Sequence, residues 1–326
     1  MTHDVGDLAV APAGSALTAL GGPGGPLLDL SGSRNRRRSE RLIGWFLAAC
    51  GGLSIFTTVG IILVLFEQAF EFFLEISIID FLFGAEWTAL FADGEFGVLP
   101  LVAGTLVISA IAMLVAVPLG LMSAIYLSEY APDGVRSVLK PVLEILAGIP
   151  TIVYGFFALT FITPDILMRF LDVGPYNALS AGIAVGILIL PMVASLSEDA
   201  MRAVPSALRE GAYALGATKL EVSTRILLPA AFSGVVASLI LAASRAIGET
   251  MVVAIASGSR PQLTANPREE MQAMTGYIVQ VVSGDAVVGT TKFQSLYAVG
   301  ALLFLMTLAM NVLSRTLVNR FREEYQ

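Results

Sequence analysis

Charge-free stretches alternate along this chain with short polar connections. Leu42 to Phe66, Phe96 to Ser128, Ile145 to Pro164, Val173 to Ser197, Ile226 to Ser259 and Phe293 to Ser314 carry no charged residue except Arg245 and Glu249 in the fifth stretch. At a helical rise of roughly 1.5 Å per residue, about 20 apolar residues cross a hydrocarbon core of about 30 Å. The pattern therefore predicts six transmembrane helices in an all-α membrane protein. Phe96 to Ser128 exceeds one crossing, so its helix projects into water or bends near Pro118 and Gly120. Gly148-Ile149-Pro150 and Leu190-Pro191 interrupt the third and fourth spans, where either a packing kink or a bend serving alternating access fits. Beyond the first span, Glu67, Glu71 and Glu75 repeat every four residues, so that helix runs on amphipathically. Phe81 to Phe91, with Trp87, is short and broken by Gly84 and Glu86, and suits an interfacial segment better than a seventh span.

Composition agrees with this solvent. Apolar residues make up 56% and charged residues 14% of the 326 positions, against about 25% charged in soluble domains. If the N-terminus is cytoplasmic, fourteen of the 19 Lys and Arg fall inside and four outside, a bias that places both termini in the cytoplasm of a multi-pass membrane protein. The expected organisation is a flexible cytoplasmic leader over 1–41, a first span over 42–66, an extracytoplasmic segment over 67–95, a membrane domain over 96–315 and a cytoplasmic tail over 316–326. Twelve acidic residues fall outside, most of which orientation and solubility explain; such a face repels free anions, so an anionic cargo needs something else to deliver it. One Cys (Cys50) and one His (His3) remove disulfide frameworks, Cys/His metal sites and catalysis by either residue. Leu47-Ala48-Ala49-Cys50 imitates a lipoprotein cleavage box inside an apolar run, and Cys50 reads instead as a small buried residue. No catalytic or metal site is expected, and the protein reads as a non-enzyme.

Met201 to Pro229 is the longest connection on the inner side. Pro205-Ser206 opens a helix, Gly216 can close it in the left-handed conformation, and Thr218-x-x-Glu221 forms a capping box for a second helix. A bent helix pair of this kind suits a groove on a partner, though a plain surface hairpin remains equally open on physics alone. A DNA-reading role fails because the loop carries a charge of only +2 and is tethered between spans, so no nucleic-acid partner is expected; the surroundings are membrane lipid. Gly211 and Gly216 have the spacing of a phosphate loop, yet Ala217-Thr218 stands where Lys-Ser/Thr would be needed, so ATP has no Walker A site in this chain.

Glu210-Gly211-Ala212, Gly216 after three residues, and Ile226-Leu227-Leu228-Pro229 after nine more resemble the E-A-A-x3-G-x9-I-x-L-P loop of bacterial ABC importer permeases. Gly211 is the one departure, standing where the family usually has Ala. Further stretches, among them Ala124 to Tyr130, Leu146 to Pro150, Arg245-Ala246-Ile247-Gly248-Glu249-Thr250-Met251 and Met274 to Gln280, resemble phosphate-importer permeases, the PstC type more than its paired PstA type. The resemblance covers roughly 97 to 315. It implies a six-span MetI-like bundle of the type I importers, with Glu210, Gly211, Ala212, Gly216, Ile226, Leu228 and Pro229 forming the coupling site for an ATPase. It also implies three associations: a second, PstA-like permease, a PstB-like ATPase dimer that binds the ATP, and a PstS-like phosphate-binding protein outside. No cofactor is expected in the chain itself.

Arg245 and Glu249 lie one helical turn apart, and each is costly against lipid, so both should face the bundle interior or a wet pathway. Gly234, Ser238, Ala242 and Gly248 share the stripe and let a neighbour or solute approach. Arg245 would offer phosphate a forked, permanently charged donor, and Glu249 would orient it or accept the proton of a hydroxyl-bearing phosphate. A buried structural ion pair explains the same residues, and the family resemblance favours the pathway role. Glu144, Glu198 and Asp199 read as interfacial or capping carboxylates. A permease for sulfate, molybdate or another oxyanion, a stand-alone ion-coupled carrier and a membrane sensor are the other functions compatible with the sequence.

Overall fold

A computed structural model of the chain describes residues 34–91 and 94–320. Among them every regular element is helical, and the extended pairing is an isolated bridge between Trp87 and Phe96. Most of the expected leader, and the end of the expected tail from 321, lie outside the described residues. Helix α1 (Arg34–Glu75) takes up the rest of that leader and continues through the Glu67, Glu71 and Glu75 repeat. It is followed by α2 (Ile78–Phe83), α3 (Leu99–Tyr130), α4 (Asp133–Ala147), α5 (Thr151–Phe170) and α6 (Ala178–Arg202). Then come α7 (Ser206–Ala214), α8 (Lys219–Ala230), α9 (Phe232–Ile247), α10 (Met251–Ala256), α11 (Met274–Gln280) and α12 (Thr291–Arg320). Among the described residues, α1, α3, α5, α6 and α12 are each long and apolar enough to cross a membrane, and α8 with α9, bent by 75°, passes the same test as a pair.

Two expectations about the spans are corrected. The third span begins at Thr151 instead of Ile145, because Gly148 and Pro150 end the preceding helix and set α4 apart. Residues before that break alternate on a helical period: Val138 and Ile145 are exposed on one side while Arg136 and Lys140 turn inward to form ion pairs. The fifth stretch is not one helix. It bends at Ala231, two residues after Pro229 has removed a backbone donor, and it stops at Ile247, with Gly248 as the cap.

The chain divides into two compact units, 1–61 and 62–326. In the first, the described residues form a helix whose Leu42, Trp45, Phe46 and Phe56 are all exposed, an arrangement stable in hydrocarbon because lipid tails are as apolar as a protein core. Cys50, expected to be buried, is exposed on it. In the second unit α3 lies along α6. Gly182 and Gly186, a G-x-x-x-G pair, set the approach: a Cβ on Gly182 would stand 2.6 Å from the Ile111 Cβ, and one on Gly186 2.8 Å from the Val115 Cβ and 2.9 Å from the Ala112 carbonyl. Gly186→Leu should therefore force these helices apart and lower the melting temperature of the solubilised protein by an amount corresponding to about 2 kcal/mol. Gly211→Ala, which meets nothing within 4 Å, should not lower it. An unaltered melting curve for Gly186→Leu would refute the close approach.

At the end of the second unit opposite the 201–229 loop, Phe72, Phe81, Trp87, Phe96 and Tyr277 meet edge to face, with Trp87 and Tyr277 centroids 4.8 Å apart. The segment read as interfacial thus sends Phe81 and Trp87 into a core, both at most 3% exposed. Glu71 and Glu75 tie the C-terminal end of α1 to α12, accepting from Gln294 Nε2 at 3.0 Å and Thr291 Oγ1 at 2.5 Å.

Candidate functional site

The 201–229 loop folds as its punctuation predicts. Thr218 accepts the Glu221 amide at 3.3 Å while Glu221 Oε2 accepts the Thr218 amide at 3.0 Å, the reciprocal bonds of a capping box that starts α8. Gly216 joins α7 to α8 at φ 83°, a conformation that excludes most side chains. Ala212 faces inward with Val222 and Leu227, pinning the hairpin to the ends of α3 and α6. The opposite surface is free: Glu210, Gly211 and Pro229 are exposed, as is Gly216, and Ile226 and Leu228 are half-buried. Leu215 is 90% exposed and Leu220 61%, so a bent pair of short helices presents two leucines beside an acidic residue that forms no ion pair among the described residues. Because a methyl group at Gly211 would meet open space, the departure from Ala alters helix propensity alone.

Arg245 and Glu249 do not form the expected one-turn pair. With α9 ending at Ile247 and Gly248 capping it, Glu249 falls in the break before α10, and among the described residues no ion pair joins the two. Arg245 is half-buried in the last turn of α9, where the helix dipole favours a cation. Glu249 is 8% exposed. Its backbone carbonyl accepts Thr275 Oγ1 of α11 at 2.7 Å, while its carboxylate has no hydrogen-bonding partner among the described residues. Of the small residues on the expected stripe, Ser238 and Ala242 are buried, Ser238 bonding Ser197 of α6 at 2.8 Å, and Gly248 is exposed. A cleft of about 470 Å³ opens nearby between Trp87, Arg260, Gln272, Tyr277 and Gln280, and neither Arg245 nor Glu249 lines it.

Sequence reasoning missed three residues. Thr275 lies in the Met274–Gln280 stretch, and its role as a clamp on the 248–250 break needed the fold to show it. Glu198, read as an interfacial or capping carboxylate, is instead fully buried between α4 and α6. Arg136 reaches it at 2.5 Å, Lys140 at 3.0 Å and Arg202 at 3.8 Å. Lys140 also meets Asp199 at 2.6 Å, and that hydrogen bond, opposed by burial and helped by Glu198, raises its ammonium above the ordinary value of 10.5. The spacing of Arg136 and Lys140 on one face of an amphipathic helix was the available sign. Glu129, at the end of α3, is the third. Glu144 stays exposed on α4.

Comparison with known proteins supplies the context of these sites. Residues 116–323 match the family model described as binding-protein-dependent transport system inner membrane component. The chain is 34% identical over 294 residues to the probable ABC transporter permease protein YqgH of Bacillus subtilis, covering 89% of this chain and 94% of that one. It is 36% identical over 248 residues to phosphate transport system permease protein PstC 1 of Mycobacterium tuberculosis, covering 69% and 73%. In fold it is similar to a chain of a bacterial alginate ABC transporter in complex with an alginate-bound periplasmic protein, at TM-score 0.62 and 17% identity over 88% of this chain and 96% of that one. It is also similar to a chain of the MetNI methionine ABC transporter, at TM-score 0.53 and 17% identity over 69% and 94%.

Proposed function

Because this chain belongs to the binding-protein-dependent transport system inner membrane components, the permease subunits of ABC importers, we propose that it is the PstC-type half of the gate of an ATP-driven phosphate importer. The observation that carries the reading is the presentation of the 201–229 loop: a glycine-hinged helix pair with Glu210 and Leu215 outward and its inner face packed on the ends of two spans. In this reading both termini and the loop are cytoplasmic, and a PstB-like ATPase dimer grips the loop. The chain pairs with a PstA-like permease, and a PstS-like protein delivers the anion to the acidic outer face. ATP is bound and hydrolysed by the partner, with no cofactor in this chain.

Arg245 and Glu249 supply the pathway. A half-buried guanidinium offers a dehydrated phosphate two parallel charged hydrogen bonds. A carboxylate with no partner among the described residues is costly inside a bundle unless a polar species meets it, and water or the hydroxyl of a protonated phosphate in the pathway would do so. Sulfate at neutral pH has no such hydroxyl, which gives a basis for preferring phosphate. Phosphate as cargo is further supported by the names of the PstC relatives.

Pull-down of the chain from native membranes should recover a nucleotide-binding subunit, and phosphate should outcompete sulfate and molybdate for uptake. Glu210→Lys should reduce recovery of the ATPase and uptake about tenfold each, because it reverses a charge in the contact. Normal recovery and uptake in that variant would show that the loop is not the docking site. Accumulation of phosphate by the isolated chain in liposomes would identify an ion-coupled carrier instead.

A further inference from the structure

The loop and the Glu249 break lie at opposite ends of the second unit, and a continuous set of contacts runs between them through α3. Its inner end is Glu129, set in a wide helical turn over Tyr126–Tyr130, with a side chain only 6% exposed. Donors from both helices of the loop converge on this residue. Arg209 Nε lies 3.2 Å from one carboxylate oxygen, and the Tyr213 hydroxyl, one turn further along α7, donates to the other at 3.4 Å. Lys219, the first residue of α8, donates to the Glu129 carbonyl at 3.4 Å and stands 5.6 Å over the Tyr130 ring. Arg209 also donates to the Met201 carbonyl at 2.8 Å, so the same side chain holds the end of α6. Burial and the Glu129 carboxylate push the Tyr213 phenol up, which keeps it a donor across the physiological range.

From Glu129 the chain returns through α3 as one rod, packed along α6, to Thr105. Thr105 Oγ1 accepts the Met274 amide at 3.0 Å, at the first residue of α11, and the next residue, Thr275, donates to the Glu249 carbonyl at 2.7 Å. Gly104 lies against the Gln272 backbone with no room for a side chain, so this joint is tight. A displacement of the loop that Glu129 follows thus reaches the 248–250 break through two hydrogen bonds and one helix.

We propose that Glu129 is the grip by which the 201–229 loop moves α3, and that α3 transmits this movement through Thr105 to the backbone of Glu249. Both are positioning residues that touch neither nucleotide nor anion. The proposal rests on the permease reading and adds to it the route from docking site to pathway.

The test uses the complete transporter, with its second permease, ATPase and binding protein, in proteoliposomes, where uptake and ATP hydrolysis are measured separately. Glu129→Gln should keep the ATPase bound and hydrolysis within about twofold, while phosphate moved per ATP falls about tenfold. Exchanging the charges, Glu129→Arg with Arg209→Glu, should recover part of that ratio, which a general loss of structure would not allow. Thr105→Val, far from the loop, should give the same split, and combined with Glu129→Gln should add little, because both sever one route. An unchanged ratio in Glu129→Gln, or additive losses in the double variant, overturns the proposal. So does loss of the ATPase from Glu129→Gln complexes, which would assign Glu129 to docking. If the unaltered chain captures no ATPase, the permease reading fails, and that result is separate from normal coupling in the variants.

Discussion

Arg245→Ala is expected to lower phosphate uptake about a hundredfold while the chain stays in the membrane with its ATPase bound. The magnitude follows from losing a charge-assisted, two-armed contact to a dehydrated anion, on the order of 3 kcal/mol, where each 1.4 kcal/mol is tenfold. Assembly should survive because Arg245 lies in the last turn of α9 and forms no ion pair among the described residues, so no buried partner is orphaned. Arg245→Lys should recover only part of the activity, since an ammonium keeps the charge and loses the planar fork. Uptake assays at matched expression, with co-purification of the ATPase as the control, decide the matter. Undiminished uptake in Arg245→Ala would remove this residue from the pathway, and loss of uptake together with the ATPase would make it a structural residue.

Glu198→Ala should be the most destabilising of the single substitutions considered, by about 3 kcal/mol. The carboxylate has no exposure, and removing it strands Arg136, which is 21% exposed, and leaves Lys140, 28% exposed, with Asp199 as its remaining partner. Partial access to water keeps the effect at the lower end of the range for a broken buried pair. The loss should appear as a lowered melting temperature and as proteolytic release of the α4 segment, whose other ties are few. The sign of the pH dependence is fixed by Lys140. Its folded-state pKa is raised, so its contribution is complete below its ordinary value of 10.5 and is lost only as pH rises above that. The melting temperature near neutral pH should therefore not vary through this lysine. A variant that melts with the parent chain would show that α4 is held by something else.

The apolar runs marked the spans because a charged side chain in hydrocarbon is costly wherever it falls, so its absence reads directly as membrane. Where helices break was harder to see. An uncharged run looks the same whether its backbone ladder is continuous or not, so the bend at Ala231 and the stop at Ile247 leave no mark in the fifth stretch, and Gly248 interrupts the one-turn spacing of Arg245 and Glu249. The loop was legible to the residue because capping chemistry is local: Thr218, Glu221 and Gly216 declare their roles within four positions. Glu198 and Glu129 were not, since their partners lie far along the chain and only the packing of α4 on α6, and of α7 against the end of α3, brings them together. A carboxylate's neighbours in sequence do not tell whether it caps a helix or anchors a network.

Leu215 has a further consequence, for the cell's handling of the subunit. At 90% exposure, on the tip of the hairpin, and with the loop on the cytoplasmic side as proposed, it would stand in cytosolic water whenever the chain is made without the proposed ATPase. Chaperones and proteases bind such oily protrusions, so surplus copies should be degraded faster than complete transporters, and balanced synthesis of the subunits becomes a requirement written into one side chain.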